Sequence, residues 1–111
     1  DYIETLSVKV NTICRGKALS AAAIILACGT GTRMMSKRST VMFHQSSSFL
    51  SGKMSDISAY LDNIKTLETT VYDLLGSKTK QDANWWKNQM KTDFFLSPEK
   101  LVEYGVIDQI I

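Results

Sequence analysis

The chain has 111 residues, 44% of them hydrophobic and 22% charged, and a formal net charge of +2. This length permits at most one domain, with enough apolar residues for a core of its own. The nearly neutral charge, without any run of lysine or arginine, argues against a nucleic-acid interface as the main function. We therefore expect no nucleic-acid partner.

Composition also argues against disulfide-rich, membrane-spanning and metal-binding proteins. Cys14 and Cys28 fall in a predicted strand and a predicted helix, which is typical of small core residues in a reducing compartment. The apolar run 21–28 is too short to span a bilayer. One histidine and two separated cysteines form no metal site, and residues 29–33 lack the pattern of a phosphate-binding loop. We expect no membrane partner, no metal and no cofactor.

The first third of the chain predicts a strand followed by a buried helix. Residues 1–7 carry a short helical pattern, and residues 8–14 alternate and are β-branched, which predicts a strand. The Ala-rich run from Ala21 to Cys28 predicts a helix that stops at Gly29.

A second strand is predicted after a turn. Residues 30–33 are typical of a turn and residues 34–38 of irregular structure, whereas residues 40–44 form a short strand pattern. A succession of strand, helix and strand favours a parallel crossover in a layered α/β domain. His44 would then lie at the sheet edge from which Ser20 emerges, where α/β proteins build their sites.

The longest predicted element is an amphipathic helix over Met54–Leu75, ended by Gly76. It follows a serine-rich connection, residues 45–52, and would reach roughly 30 Å. That exceeds what a small core needs, so the helix either projects towards a neighbour or lies on the surface with one buried stripe. Periodicity alone favours the surface helix.

The end of the chain predicts a Trp-containing helix, a capped helix and a final strand. Trp85 and Trp86 are adjacent and cannot both face one core, so at least one is expected at an interface or partly exposed. Hydrophobic neighbours are expected to tuck Asp93 inward. Residues 97–104 begin with a Ser cap and a Pro, as helices do, and residues 106–111 predict a strand.

Ser20 is the candidate nucleophile of the chain. It lies at the turn from strand to helix, where a hydroxyl is exposed and free backbone N–H groups face any anion that forms beside it. The alternative is ordinary, because serine before an apolar helix usually only caps it.

Four motifs support a chemical role for Ser20 rather than a helix-capping role. In chain order they are Thr12-Ile13-Cys14 with Gly16-x-Ala18-x-Ser20, Val41-Met42-Phe43-His44-Gln45, Gly52-x-x-x-Asp56-Ile57, and Asp93-Phe94-Phe95-Leu96-Ser97 with Glu103-Tyr104-Gly105-Val106-Ile107-Asp108. They resemble the nucleophile, histidine, handle-helix and closing segments of the proteolytic subunit of the Clp protease. The match is collinear from near Asp1 to Ile111, with a small gap near Gly31.

The resemblance implies an α/β fold of the layered βαβ, Clp protease and crotonase type, with a projecting handle helix at 52–76. Residues 1–111 would form a single partial protease domain, because the family fold begins well before Asp1. The chain opens without Met and shows no signal peptide. We expect the front half to come from another polypeptide, or to have been left out or not traced.

The resemblance also implies a Ser-His-Asp triad and a serine endopeptidase. Ser20 would be the nucleophile, His44 the general base, Asp93 the residue that orients it, and the Ala21 N–H an oxyanion donor. A serine hydroxyl needs a base to take its proton, an imidazole changes protonation near neutral pH, and a carboxylate fixes the imidazole tautomer. Asp108 is the other carboxylate considered, and its context favours a strand end or an interface.

The partners implied by the resemblance are those of a self-compartmentalised protease. They are homo- or hetero-oligomeric ring subunits (heptameric rings stacked in pairs), an AAA+ ATPase unfoldase, unfolded polypeptide substrates and a chain that supplies the N-terminal half. The implied location is cytoplasmic, or alternatively the plastid stroma or mitochondrial matrix.

Departures from the family pattern keep two alternatives open. Ala21 replaces the usual Met after the nucleophile, residues 46–49 replace a Pro and glycines, and Thr92 replaces an arginine before the aspartate. The alternatives are a viral or assembly-specific relative with a single ring, and a catalytically silent structural subunit of a Clp-type ring.

Overall fold

Five helices and six strands make up the fold in a computed structural model that describes residues 1–111. In chain order they are α1 Tyr2–Thr5, β1 Thr12–Cys14, β2 Lys17–Leu19, α2 Ala21–Ala27, β3 Arg33–Met35, β4 Thr40–Phe43, α3 Met54–Lys78, α4 Ala83–Gln89, β5 Phe94–Leu96, α5 Pro98–Glu103 and β6 Gln109–Ile110. None of the helices combines the length and the apolar character needed to cross a bilayer.

The strands form two three-stranded sheets, ordered β1-β3-β6 and β2-β4-β5. The first sheet is parallel throughout, whereas in the second β2 pairs with β4 in parallel and β4 with β5 antiparallel. The α2 helix connects β2 to the first sheet and packs on both sheets. The predicted α/β class is therefore confirmed. A parallel crossover through α2 is present as predicted, but the predicted strand partners, residues 8–14 and 40–44, lie in different sheets, and the parallel pairs are β1 with β3 and β2 with β4.

The predicted strand 8–14 is wrong in extent, because only Thr12–Cys14 is a strand and the chain then enters the other sheet as β2. Gly16 makes the change of sheet with φ 94°, a value that suits glycine. Ser39 fixes the corner, since its Oγ accepts from the Gly16 N–H at 2.8 Å and donates to the Cys14 carbonyl at 3.2 Å.

Three other predicted boundaries are wrong. Residues 33–35 are the central strand of their sheet rather than irregular, and the last strand is only Gln109–Ile110. Gly76 does not end the long helix, which continues to Lys78. A Cβ at Gly76 would lie 2.9 Å from the Ala83 nitrogen, so this glycine serves the close approach of α4.

An aromatic cluster occupies the core beside the second sheet. Trp86 is fully buried and its ring centroid lies 4.8 Å from that of Phe43. Trp85 is half-buried and packs against Trp86 and Tyr104, with centroids 5.1 and 4.8 Å away. The expectation that at least one tryptophan is partly exposed is confirmed for Trp85. The premise that the two cannot face one core is wrong, because an edge-on arrangement lets both contact the same cluster.

The long helix α3 joins this core only through its last turns. Its buried residues are Tyr72 and Leu75, and no residue from 54 to 71 is fully buried. Leu67 remains 56% exposed. With 25 residues the helix is roughly 38 Å long, and it projects from the body of the molecule, so a single buried stripe along its length is wrong.

Candidate active site

Ser20 lies between β2 and α2 in a strained backbone conformation, with φ 58° and ψ −122°. It is the one non-glycine residue with positive φ, and such a conformation costs about 1–3 kcal/mol. Its N–H donates to the Met42 carbonyl at 2.9 Å, which ties the turn to β4. Its side chain makes no capping bond to α2, so the ordinary role of a helix-capping serine does not account for it.

His44 directly follows β4 and points at Ser20. Its Nε2 lies 2.9 Å from Ser20 Oγ, within hydrogen-bond distance. The next residue, Gln45, donates its N–H to the Met90 carbonyl at 2.8 Å. This bond anchors the chain after His44 to the end of α4, so the His44 backbone is fixed by β4 on one side and by this bond on the other.

Asp93 lies on the other side of the imidazole, but at greater distance. Its Oδ1 is 3.7 Å from His44 Nδ1, and its side chain is 63% exposed. The expectation that Asp93 is tucked inward is therefore wrong. Asp93 precedes β5, an edge strand of its sheet, so no neighbouring strand covers the carboxylate, whatever the hydrophobicity of the residues around it.

Strand order explains why these three residues meet. The central strand β4 ends just before His44, the parallel neighbour β2 ends just before Ser20, and the antiparallel neighbour β5 begins just after Asp93. All three residues therefore lie at one edge of one sheet, as predicted for Ser20 and His44. The Phe43–Phe94 pair is the last of its ladder, which places His44 opposite Asp93.

The Ala21 amide is the first of α2 and has no acceptor within the helix. It lies beside the Ser20 hydroxyl at the positive end of the helix dipole. Two further amides of this turn are used, because those of Ala23 and Ile24 donate to the Ser20 carbonyl at 3.0 and 3.3 Å.

A cleft of about 200 Å³ opens at the Ser20–His44 pair. The apolar part of its wall comes from α2, α3 and the residue after α4, and includes Ile24, Leu67, Val71 and Met90. Beside the Ser20–His44 pair, the polar part of the wall comes from Gln45, Ser46, Glu68 and Tyr72. Burial, followed by the Glu68 charge, raises the pKa of the Tyr72 hydroxyl.

Glu68, Tyr72 and Met90 were not identified from the sequence as site residues. The helical period offered a partial signal, since Glu68 and Tyr72 are four residues apart and flank the apolar stripe of α3. Nothing in the local sequence indicates that this part of α3 faces Ser20.

Asp108, the other carboxylate considered, lies away from Ser20 and His44 just before β6. Its Oδ1 accepts from Arg33 Nη2 at 2.6 Å, and its Oδ2 from the Arg33 Nε and backbone N–H at 3.1 and 2.8 Å. Arg33 Nη1 also donates to the Lys78 carbonyl at 2.8 Å. These bonds hold the pKa of the Asp108 carboxyl below its usual value. Its predicted place at a strand end is confirmed.

Comparison with known proteins agrees with this fold. The family model described as Clp protease matches residues 1–111. A protein of Deinococcus radiodurans called ATP-dependent Clp protease proteolytic subunit is 32% identical over 112 aligned residues, which cover 100% of this chain and 55% of that protein.

Two cyanobacterial relatives are similar to the same extent. Proteolytic subunit 1 of Prochlorococcus marinus strain MIT 9312 is 34% identical, and proteolytic subunit 2 of Parasynechococcus marenigrum is 35% identical. In both, all of this chain aligns with 57% of the relative. The chain thus spans little more than half the length of the curated relatives it matches.

Proposed function

This chain belongs to the Clp protease family, and from that premise we propose that it carries the Ser-His-Asp centre of a serine endopeptidase. Ser20 is the nucleophile, His44 the general base and Asp93 the residue that orients His44. The observation that carries the proposal is the 2.9 Å contact between His44 Nε2 and a hydroxyl that makes no capping bond.

The reaction begins when the Ser20 hydroxyl gives its proton to His44 Nε2 and Oγ attacks the peptide carbonyl carbon. Negative charge develops on the carbonyl oxygen, where the free Ala21 N–H can donate to it. His44 returns the proton to the leaving amine, and an acyl ester on Ser20 remains. Water, activated by the same imidazole, hydrolyses the ester and restores the hydroxyl.

Asp93 contributes by accepting from His44 Nδ1–H, which keeps Nε2 free as the base. A separation of 3.7 Å and an exposed carboxylate weaken this effect, because water competes for both groups. Catalytic hydrogen bonds are often long before substrate binds, and closure of this contact in the assembled, substrate-bound enzyme fits the proposal.

The substrates proposed are unfolded polypeptides, delivered to a ring of subunits by an AAA+ unfoldase in the cytoplasm. Exposed apolar groups support an assembled state. Ile13 and Ile25 are about half exposed and line a shallow cavity of about 220 Å³ over β1 and α2. This face suits a covering polypeptide, and the projecting part of α3 suits a neighbouring subunit.

A catalytically silent ring subunit is the second candidate, and the open His44–Asp93 contact is the observation that favours it. Labelling with a serine-directed fluorophosphonate, measured by intact mass on the native assembly, separates the two. The first proposal predicts one adduct that is lost in Ser20→Ala and kept in Ser47→Ala, a matched change at an exposed serine.

Absence of the adduct from this subunit, in an assembly whose sister subunits do react, would favour the silent subunit. An adduct that persists in Ser20→Ala would place the reactive group elsewhere in the chain and contradict the proposed nucleophile.

A further inference from the structure

A second cavity, of about 280 Å³, adjoins the cleft at Ser20. The two share three wall residues: Gln45, Glu68 and Tyr72. The shared wall means that a chain bound across the first cavity passes directly beside the second. We call the second cavity the lysine groove, after Lys65, Lys87 and Lys91, which line it.

The three lysines of the groove come from different parts of the fold. Lys65 is on α3, Lys87 is in the last turn of α4 and Lys91 follows that helix. None of them has a carboxylate within 4.0 Å, because the cationic partners in the four ion pairs are Arg33, His44, Lys78 and Lys100. The groove therefore holds three unpaired positive charges.

Glu68 is the single acidic residue that lines the groove, and it is already engaged. Its Oε1 accepts from the Ser46 N–H at 2.6 Å. One carboxylate against three ammonium groups leaves the groove with a net charge of +2. The serine-rich segment, tethered by Glu68, supplies no negative charge.

Stability does not explain this arrangement. Lys87 is in the last turn of α4 and Lys91 lies just after it, so the negative end of that helix favours both charges. Lys65, on α3, adds a third positive charge to the same groove, and like charges placed together repel. Only Lys78 and Lys100 among the lysines have an acidic partner, so what distinguishes the groove is that three unpaired lysines line one cavity. An unpaired cluster beside a cleft suits an anionic ligand better than it suits the folded chain alone.

We propose that the lysine groove binds an acidic side chain of the peptide substrate. The inference rests on the proposed function, since it assumes that a peptide occupies the Ser20 cleft. The preferred substrate then has an apolar side chain in the cleft, against Val71 and Met90, and Asp or Glu at a nearby position. Attraction to the lysines holds such a peptide across the Ser20 hydroxyl and lowers KM.

The test compares paired fluorogenic peptides that carry one apolar residue and either Glu or Gln at each position flanking the cleavage site. On the native assembly we expect roughly tenfold higher kcat/KM for Glu at one position, and a decline of this preference with added salt. Replacement of all three groove lysines by Gln removes the preference. The matched control replaces Lys9, Lys37 and Lys53, which are exposed and lie outside the groove.

Binding measured without turnover separates this inference from the proposed activity. Fluorescence anisotropy with Ser20→Ala should give tighter binding of the Glu peptide than of its Gln partner. The same difference in binding, found together with no peptide cleavage by the unmutated native assembly, would uphold the lysine groove and contradict the endopeptidase.

Two outcomes would overturn the inference itself. One is equal binding of the Glu and Gln peptides at every position. The other is lysine-dependent binding of inorganic phosphate together with no discrimination between the peptides, which would make the groove a site for a free anion.

Discussion

The two sheets each end in a polar cluster, and the clusters differ in how well they are satisfied. In the first sheet, Arg33 and Asp108 are joined by three bonds of 2.6–3.1 Å. In the second sheet, Ser20 and His44 are 2.9 Å apart, but His44 and Asp93 are 3.7 Å apart and the carboxylate is largely exposed. We call the Arg33–Asp108 cluster closed, because its side chains are hydrogen-bonded to one another, and the Ser20–His44–Asp93 cluster open, because its His44–Asp93 contact is long and exposed to solvent.

Backbone geometry follows the same division. Asp108 N–H donates to the Arg33 carbonyl at 2.8 Å, so main chain and side chains support one another. Ser20 instead occupies a conformation with positive φ. A closed cluster on relaxed backbone stabilises a fold, whereas an open cluster on strained backbone is typical of a site whose remaining contacts form with substrate.

Kinetics should first distinguish the two ends of the open cluster. Ser20→Ala is expected to lower kcat about 10⁶-fold, as loss of a triad nucleophile does. Asp93→Asn should lower it by less than the ~10⁴-fold typical of a well-bonded triad aspartate, because Asp93 is distant and hydrated. The measurement is kcat on an unstructured peptide. A loss of about 10⁴-fold in Asp93→Asn would mean that the His44–Asp93 contact closes fully during turnover.

Thermal or urea unfolding should then separate the clusters themselves. Arg33→Met is expected to lower the free energy of unfolding by about 1–3 kcal/mol, since the Lys78 carbonyl and Asp108 lose their donor. Arg38→Met, at an exposed arginine, serves as the matched control and should change it little. A loss of activity in Arg33→Met that exceeds its loss of folded protein would show that the clusters are coupled.

A smaller effect is expected from pH. The folded pKa of Asp108 is lowered by Arg33, so its contribution to stability is complete above the ordinary carboxyl value of about 3.9. It disappears as pH falls through the lower folded value. The difference in unfolding temperature between the native chain and Asp108→Asn should therefore be constant from pH 7 to pH 5 and shrink as the pH falls below the ordinary carboxyl value of about 3.9. A difference that grows on acidification would contradict this account.

The sequence predicted those features that local patterns determine. The Ala-rich run predicted α2, and the three- and four-residue period predicted α3. The strand patterns on either side of α2, residues 8–14 and 40–44, predicted a parallel crossover and the edge where Ser20 and His44 meet. These predictions succeed because each depends on residues close together in the chain.

The predictions that are wrong depend on distant residues. Gly16 divides the first strand with help from Ser39, 23 positions away. Gly76 remains helical because α4 packs against it. Asp93 has hydrophobic neighbours and yet is exposed, because strand order places it on a sheet edge. No local pattern contains this information, and the open His44–Asp93 contact follows from it.

The strain at Ser20 has a consequence for the history of such chains. Its backbone angles suit glycine better than serine, so Ser20→Gly would relieve part of a cost of about 1–3 kcal/mol. In a lineage that no longer needs this hydroxyl, replacement of Ser20 by Gly would increase the stability of the fold, and no second substitution would be required. Among descendants of this chain, a serine retained at position 20 would indicate continuing selection for the reactive hydroxyl, and a glycine at that position would indicate that this selection had ended.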